Sequence, residues 1–170
     1  MTTIAYRDGV MAADSQSTDE HGDYIVTKCM KIFRMESGAM LGTAGDDDAR
    51  EIFHLLTEVE HEDDLPNIHE LAEAETDFKG ILVLPDETVW IIEVEYKEDY
   101  GQWTGSASQV LDEFCAVGTG AAIALGAMEM DAPPEDAIRA AARRDIHTSL
   151  PLQVMFLDNE DEIVPQMLNA

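Results

Sequence analysis

Residues 2–15 read Thr2-Thr3-Ile4-Ala5-Tyr6-Arg7-Asp8-Gly9-Val10-Met11-Ala12-Ala13-Asp14-Ser15. Two short apolar runs, Thr2–Tyr6 and Val10–Ser15, flank the turn signal Arg7-Asp8-Gly9, and an Asp-Gly step favours a tight hairpin. The chain is therefore expected to open with a strand pair, and a hairpin this short brings Asp14 back beside Thr2. Once Met1 is trimmed, Thr2 carries a hydroxyl and a free α-amine on one residue. An amine with a pKa near ~8 can serve as general base for a weak alcohol nucleophile. Thr at position 2 is a weak signal alone, and its meaning depends on the residues downstream.

Apolar runs and turn residues keep alternating along the chain. Lys31–Met35 and Ala39–Thr43 form a second strand pair around Glu36-Ser37-Gly38, and Gly80–Leu84 and Val89–Glu95 a third around Pro85-Asp86-Glu87. Ile52, Leu55, Leu56 and Val59 recur at i, i+3, i+4, i+7, the stripe of an amphipathic helix headed by Asp46-Asp47-Asp48. A short helix is expected around Ile68–Ala74, with polar surface loops over Thr18–Asp23 and Asp99–Ser108. Phe114–Val117 reads as a strand leading into Gly118-Thr119-Gly120 and a small-residue helix, Ala121–Met130. Pro133-Pro134-Glu135-Asp136 heads a further helix with Arg139, Arg143 and Arg144 toward its tail, as the helix dipole prefers. Leu152–Leu157 and a strand near Ile163-Val164 close the chain. Two antiparallel sheets covered by helices is the α+β solution this order suggests.

A length of 170 residues predicts one domain, residues 1–170, large enough to bury a core. Against 10 basic residues stand 36 acidic ones, a formal net charge of −26. Nucleic acid and anionic membranes, which are bound through Lys and Arg, are excluded as natural partners. A cationic partner, an acidic inner chamber or a salty cytoplasm each fits this charge. No apolar run approaches the ~20 residues of a membrane span, and no basic-then-apolar leader is present, so a cytoplasmic location is expected. Cys29 and Cys115 lack zinc or redox spacing and read as reduced thiols.

Several polar residues fall at strand ends, where sites are commonly built. Lys31 opens the third strand, and a Lys turned into a sheet needs a counter-ion, for which Asp14 is the candidate. Gly42, in Leu41-Gly42-Thr43-Ala44-Gly45, offers an N–H with no side chain in the way, as an oxyanion donor requires. Taken together, these stretches resemble the proteasome β-subunit family and its bacterial relative HslV, the N-terminal-threonine proteases. The matching segments run in order along the whole chain. They are Thr2-Thr3-Ile4, Ala13-Asp14-Ser15-Gln16-Ser17-Thr18, Lys31-Ile32-Phe33, Leu41–Gly45, Val117-Gly118-Thr119-Gly120 and Arg144-Asp145-Ile146-His147-Thr148.

The resemblance implies an α+β fold, a four-layer αββα sandwich of the N-terminal-nucleophile hydrolase type. It implies peptide-bond hydrolysis through an acyl-ester on Thr2, whose amine is the base. Asp14 and Lys31 would tune the nucleophile, and the Gly42 N–H would be the oxyanion donor, with Gly45 as the alternative register. Thr119, Asp145 and Thr148 match a second network in which the family has Ser, Asp and Ser, so two methyl groups are added. Thr18 matches the position whose backbone pairs with an extended substrate, and preference falls to residues near Ala44 and Asp46. The resemblance further implies no cofactor or metal, a homo-oligomeric ring, and a peptide or unfolded-protein substrate. An ATPase unfoldase is a candidate partner. Met1 must then be removed by another enzyme, since no propeptide precedes Thr2. The first hairpin is about two residues shorter per strand than the family's, an even shortening that preserves facing.

Two rival readings stay open. One is a ring-forming structural or assembly subunit without activity, which the substituted second network would suit. The other is a small-molecule amidase on the same fold, against which the lack of long insertions argues. Gly118-Thr119-Gly120 is not a dinucleotide loop, because Ile123 stands where the third glycine belongs. His21, His54, His61, His69 and His147 are scattered among acids, and His61-Glu62-Asp63-Asp64 reads as a solvated loop rather than a metal site. The methionines read as core filler.

Overall fold

The computed structural model describes residues 2–18, 24–26, 29–45, 49–159 and 162–169. The opening hairpin forms: β1 (Thr3–Arg7) and β2 (Val10–Asp14) pair antiparallel, with Ile4 opposite Ala13. Asp8 and Gly9 make the turn with φ of 49° and 76°, the primed geometry whose twist matches the strands. β10 (Phe114–Gly118) adds to β1, β11 (Leu152–Phe156) to β2, and β12 (Gln166–Leu168) to β11. The result is an antiparallel sheet of order β10-β1-β2-β11-β12.

A second antiparallel sheet runs in chain order through β5 (Ile32–Arg34), β6 (Met40–Gly45), β7 (Phe78–Val83), β8 (Val89–Lys97) and β9 (Gln102–Val110). A separate ribbon joins β3 (Ser17–Thr18) to β4 (Tyr24–Val26). Between the two large sheets lie Ile4, Met11, Ile32, Met40, Ile81 and Met155. Helices α1 (Arg50–Leu56) and α2 (Ile68–Ala72) cover the second sheet through Ile52, Leu56 and Leu71. Helices α3 (Ala121–Met128) and α4 (Pro134–Ala142) cover the first through Ala124, Met128 and Ile138. This is the expected four-layer αββα sandwich. Because β1 is covered on one face by a sheet and on the other by helices, Thr3 to Tyr6 are all buried, and the strand reads as a continuous apolar run.

Three expectations need correction. Asp99–Ser108 is not a loop: residues 102–110 form β9, pairing with β8 from Lys97↔Gln102 to Val89↔Val110. Its polar, small residues hide it, because an edge strand is half solvated and lacks a clean apolar stripe. The last strand lies at Gln166–Leu168, while Ile163 and Val164 stay 72% and 61% exposed; pairing with Leu152–Val154 overrides β-branched propensity. Part of the Thr18–Asp23 loop is strand, since Thr18 pairs with Tyr24; residues 19–23, including His21, lie outside the described residues. Asp46-Asp47-Asp48 also lie outside them. His61–Asp64 is an exposed segment with a single 3₁₀ turn. Among the described residues, no helix is long and apolar enough to cross a membrane.

Gly105 in β9 is where α2 meets its sheet. A Cβ there would sit 2.4 Å from Leu71 Cβ and 2.8 Å from Ile68 O, so only glycine admits the helix this close. Gly105→Ala is expected to destabilise the protein by about 1–3 kcal/mol, read as a lower urea midpoint at constant slope. An unchanged midpoint would contradict the packing of α2 on β9.

Candidate active site

The short hairpin sets Asp14 opposite Thr3, and the Thr3 N–H donates to Asp14 Oδ1 at 2.8 Å. Lys31, one residue before β5, reaches the same oxygen from the other sheet, with Nζ at 3.0 Å. The Gln16 N–H donates to Asp14 Oδ2 at 2.9 Å, and Lys31 Nζ also donates to Gln16 O. Asp14 is 0% and Lys31 4% exposed. Two charges this deep would each cost several kcal/mol unpaired, so mutual pairing plus these hydrogen bonds is what permits their burial. The inferred counter-ion pair is present.

A second network closes behind the first two residues. Asp145 Oδ2 accepts from both Thr119 Oγ1 and Thr148 Oγ1, each at 2.6 Å, and Asp145 Oδ1 accepts the His147 N–H at 3.1 Å. Thr148 has one hydroxyl proton and gives it to the carboxylate, so its 2.6 Å bond to Thr3 Oγ1 must be donated by Thr3. Thr3 Oγ1 in turn accepts the Gly120 N–H at 2.9 Å. The chain of donors thus runs from Gly120 through Thr3 and Thr148 into Asp145. Burial pushes the Asp145 carboxyl up, but the bonds from Thr119, Thr148 and the His147 N–H outweigh it and hold the group below its ordinary value. Both threonine hydroxyls reach the Asp145 carboxylate, and their methyl groups leave these bonds intact.

Thr2 is buried, and its carbonyl accepts the Thr119 N–H at 2.9 Å. Gly118, at φ 97°, makes this approach possible: a Cβ there would lie 1.8 Å from Thr2 O. Thr2, Lys31, Ala44 and Thr119 line one cleft of about 1080 Å³, together with Thr43, Gly45 and Phe53. Asp14 sits behind Lys31, and Asp145 and Thr148 sit behind Thr119 and Thr3. Thr18 contributes described backbone only, paired to Tyr24. Met1 and Asp46 lie outside the described residues.

Gly42 and Gly45 separate cleanly. The Thr43 N–H donates to Lys31 O at 2.8 Å, toward β5. Alternation along a strand then turns the Gly42 N–H toward β7, and a Cβ on Gly42 would point between the sheets, 2.7 Å from Met11 Sδ. Gly42 is therefore inside the sandwich rather than on the cleft. The same alternation turns the Gly45 N–H toward the side where β5 has not yet begun, and Gly45 lines the cleft.

Sequence reasoning missed Thr3, whose hydroxyl links the second network, because its neighbour Thr2 drew the functional reading. It also missed Gln153, a lone amide in the apolar run Leu152–Phe156. Cys29 lines the cleft rim and Cys115 is buried, where loss of solvent pushes its thiol up to about 12. Among the described residues no His, Cys, Asp and Glu cluster is arranged to hold a metal.

The layer order is the αββα sandwich expected of an N-terminal-nucleophile hydrolase fold. The chain matches no protein-family model and no curated protein. Solved structures do match. Thiobacillus denitrificans BPH superposes with a TM-score of 0.60 at 20% identity, over 92% of this chain and 97% of that one. The same protein in complex with epoxomicin gives 0.59 at 19%, over 92% and 98%. Eukaryotic HslV from Trypanosoma brucei gives 0.64 at 14%, over 91% and 97%. At these identities the likeness shows the fold: this chain has the HslV and BPH fold along nearly its whole length.

Two outcomes are expected from the geometry. Lys31→Met leaves Asp14 buried and uncompensated and is expected to cost about 3–5 kcal/mol in urea unfolding; a loss under ~1 kcal/mol, typical of surface pairs, would contradict the burial. Asp145, held below its ordinary 3.8, contributes stability that is present above that value and is lost as pH falls through its folded pKa. The stability gap between wild type and Asp145→Asn should therefore stay constant at neutral pH and shrink below pH ~4. A gap unchanged down to pH ~2 would show that the carboxylate gains nothing from its partners.

Proposed function

We propose that the chain is an N-terminal threonine peptidase that cleaves peptide bonds through an acyl-ester on Thr2. The observation that carries this reading is that Thr2 and Lys31 line one cleft, the Lys31 ammonium being held by the buried Asp14 carboxylate. Removal of Met1 frees the Thr2 α-amine. The amine takes the hydroxyl proton as Thr2 Oγ attacks the scissile carbonyl, and the Lys31 ammonium favours the developing negative charge. The tetrahedral oxyanion is received by the Gly45 N–H. As the carbon–nitrogen bond breaks, the proton passes to the leaving amine. Water then attacks the ester, gives a proton to the α-amine, and releases the acid with the Thr2 hydroxyl restored.

Thr119 borders Thr2 through the Thr119 N–H to Thr2 O bond, and its hydroxyl proton is given to the Asp145 carboxylate behind it. Asp14, Thr148 and Thr3 hold these groups in place. Ala44 and Thr43 shape the cleft wall, and the Thr18 backbone would pair with an extended substrate, as the resemblance implies. A cleft near 1080 Å³ lies at the upper end of the ~300–1,000 Å³ usual for small ligands and has room for a short stretch of polypeptide. The inactive-subunit reading drew on the threonine substitutions in the second network, and both hydroxyls reach Asp145 at 2.6 Å. Thiobacillus denitrificans BPH has been solved with epoxomicin; we extend reactivity toward such epoxyketones to this chain. A homo-oligomeric cytoplasmic ring fed by an unfoldase completes the proposal.

The test is intact mass and peptide turnover before and after incubation with an epoxyketone, which needs both the hydroxyl and the free amine of an N-terminal Thr. Protein lacking Met1 is expected to take one adduct and lose turnover, and Thr2→Ala to take none, turn over nothing, and still fold. A Met1-trimmed protein that neither reacts nor cleaves would falsify the peptidase reading.

A further inference from the structure

Gln153 is the second residue of β11, between Leu152 and Val154, and it is 0% exposed. Its side chain crosses from the first sheet to the start of the second, and both heteroatoms are engaged. Oε1 accepts the Lys31 N–H at 2.9 Å. Nε2 donates to Cys29 O at 2.6 Å, with Ser15 Oγ at 3.1 Å and Asp14 O at 3.2 Å also within reach. One N–H donor against Oε1 and two carbonyls around Nε2 fix the orientation of the amide, since a flipped amide would set like against like.

These partners are the two chain segments that carry the buried ion pair. Asp14 and Ser15 lie at the end of β2, and Cys29 and Lys31 lie just before β5. The Asp14 carboxylate holds the head of Lys31, but a lysine stem has four flexible carbons. An ammonium fixed only at its tip can shift whenever its own backbone shifts. Backbone bonds already join the Thr43 N–H to Lys31 O and the Cys29 N–H to Ser15 O. Gln153 adds the Lys31 N–H and the Cys29 carbonyl, the two groups those bonds leave, and ties them to the Asp14 carbonyl.

We infer that Gln153 is a positioning residue for the nucleophile. It clamps the Lys31 backbone to the Asp14 strand, so that the ammonium keeps its place beside Thr2. The inference rests on the threonine-peptidase reading above. Gln153 touches no reacting atom and acts only through Lys31. Its effect therefore falls on the rate of the chemical step rather than on substrate binding.

The experiment compares Gln153→Met with Met155→Ala in protein freed of Met1. Both residues lie on β11 and face the same core, but Met155 is packed among apolar side chains of the inter-sheet layer. Hydrolysis of a fluorogenic peptide, corrected to folded protein, gives kcat and KM for each. Gln153→Met is expected to lower kcat about 10- to 100-fold, the scale of a misplaced catalytic group. KM should stay within about twofold, as for an interaction made in the transition state alone. Met155→Ala is expected to keep the wild-type kcat. Equal kcat in Gln153→Met and wild type, or an equal loss in both variants, would overturn the inference.

If Gln153→Met does not fold, amide exchange at Lys31 in the wild type gives the answer. Protection equal to that of the β6 interior is expected, and exchange as fast as that of exposed residues would overturn the clamp. A wild type inert toward both peptide and epoxyketone sinks the peptidase reading and Gln153's role with it. An active wild type with an unaffected Gln153→Met sinks the Gln153 assignment alone.

Discussion

The ion pair between Asp14 and Lys31 joins the two sheets at the end of the sandwich where Thr2 lies. Neither charge could be buried without the other, and neither strand could slide without separating them. The pair therefore fixes more than a side-chain contact. It sets the register of the opening hairpin against the start of the second sheet, because Asp14 Oδ1 is shared by the Lys31 ammonium and the Thr3 N–H. Thr2 is the next residue along. Residues near the end of a strand ordinarily fray, and here Thr2 is one residue from a buried electrostatic anchor.

The second network secures the other side of the same residue. Its hydroxyls form a directed chain, because each Thr has one proton to give and Asp145 can only accept. Thr2 is thus bracketed. Asp14 and Lys31 hold the strand that begins beside it, and Thr119 holds its own carbonyl through a backbone bond that only Gly118 leaves room for. Packing supplies the rest of the stability: three apolar layers, one between the sheets and one under each helix pair, leave this end of the sandwich as the place where polar groups converge.

Much of this was legible in the sequence, for identifiable reasons. Asp8-Gly9 could make only a tight hairpin, and the hairpin's length alone returned Asp14 to the beginning of the chain. Lys31 before Ile32-Phe33 needed a counter-ion only if its head turned into the sheet, with Asp14 the candidate, and it was the resemblance that favoured this over a surface lysine and a turn acid. The choice between Gly42 and Gly45 was not legible, because it depends on which side of β6 each N–H faces, and that alternation becomes fixed only when neighbouring strands set the register. β9 escaped because edge strands carry no apolar period, and Gly105 gave no sign that a helix would press on it. Gln153 had a faint signal, one amide within Leu152–Phe156, but four partners from two distant segments can be seen only in three dimensions.

The central claim is that Thr2, with its own amine, is the reacting residue of this cleft. A crystal structure of Met1-trimmed protein treated with a peptide epoxyketone tests it most directly. The account predicts density joining the inhibitor to both Oγ and the nitrogen of Thr2, with the ketone-derived oxygen ~3 Å from the Gly45 nitrogen. An adduct on Cys29 or elsewhere in the cleft, with Thr2 unmodified, would contradict it.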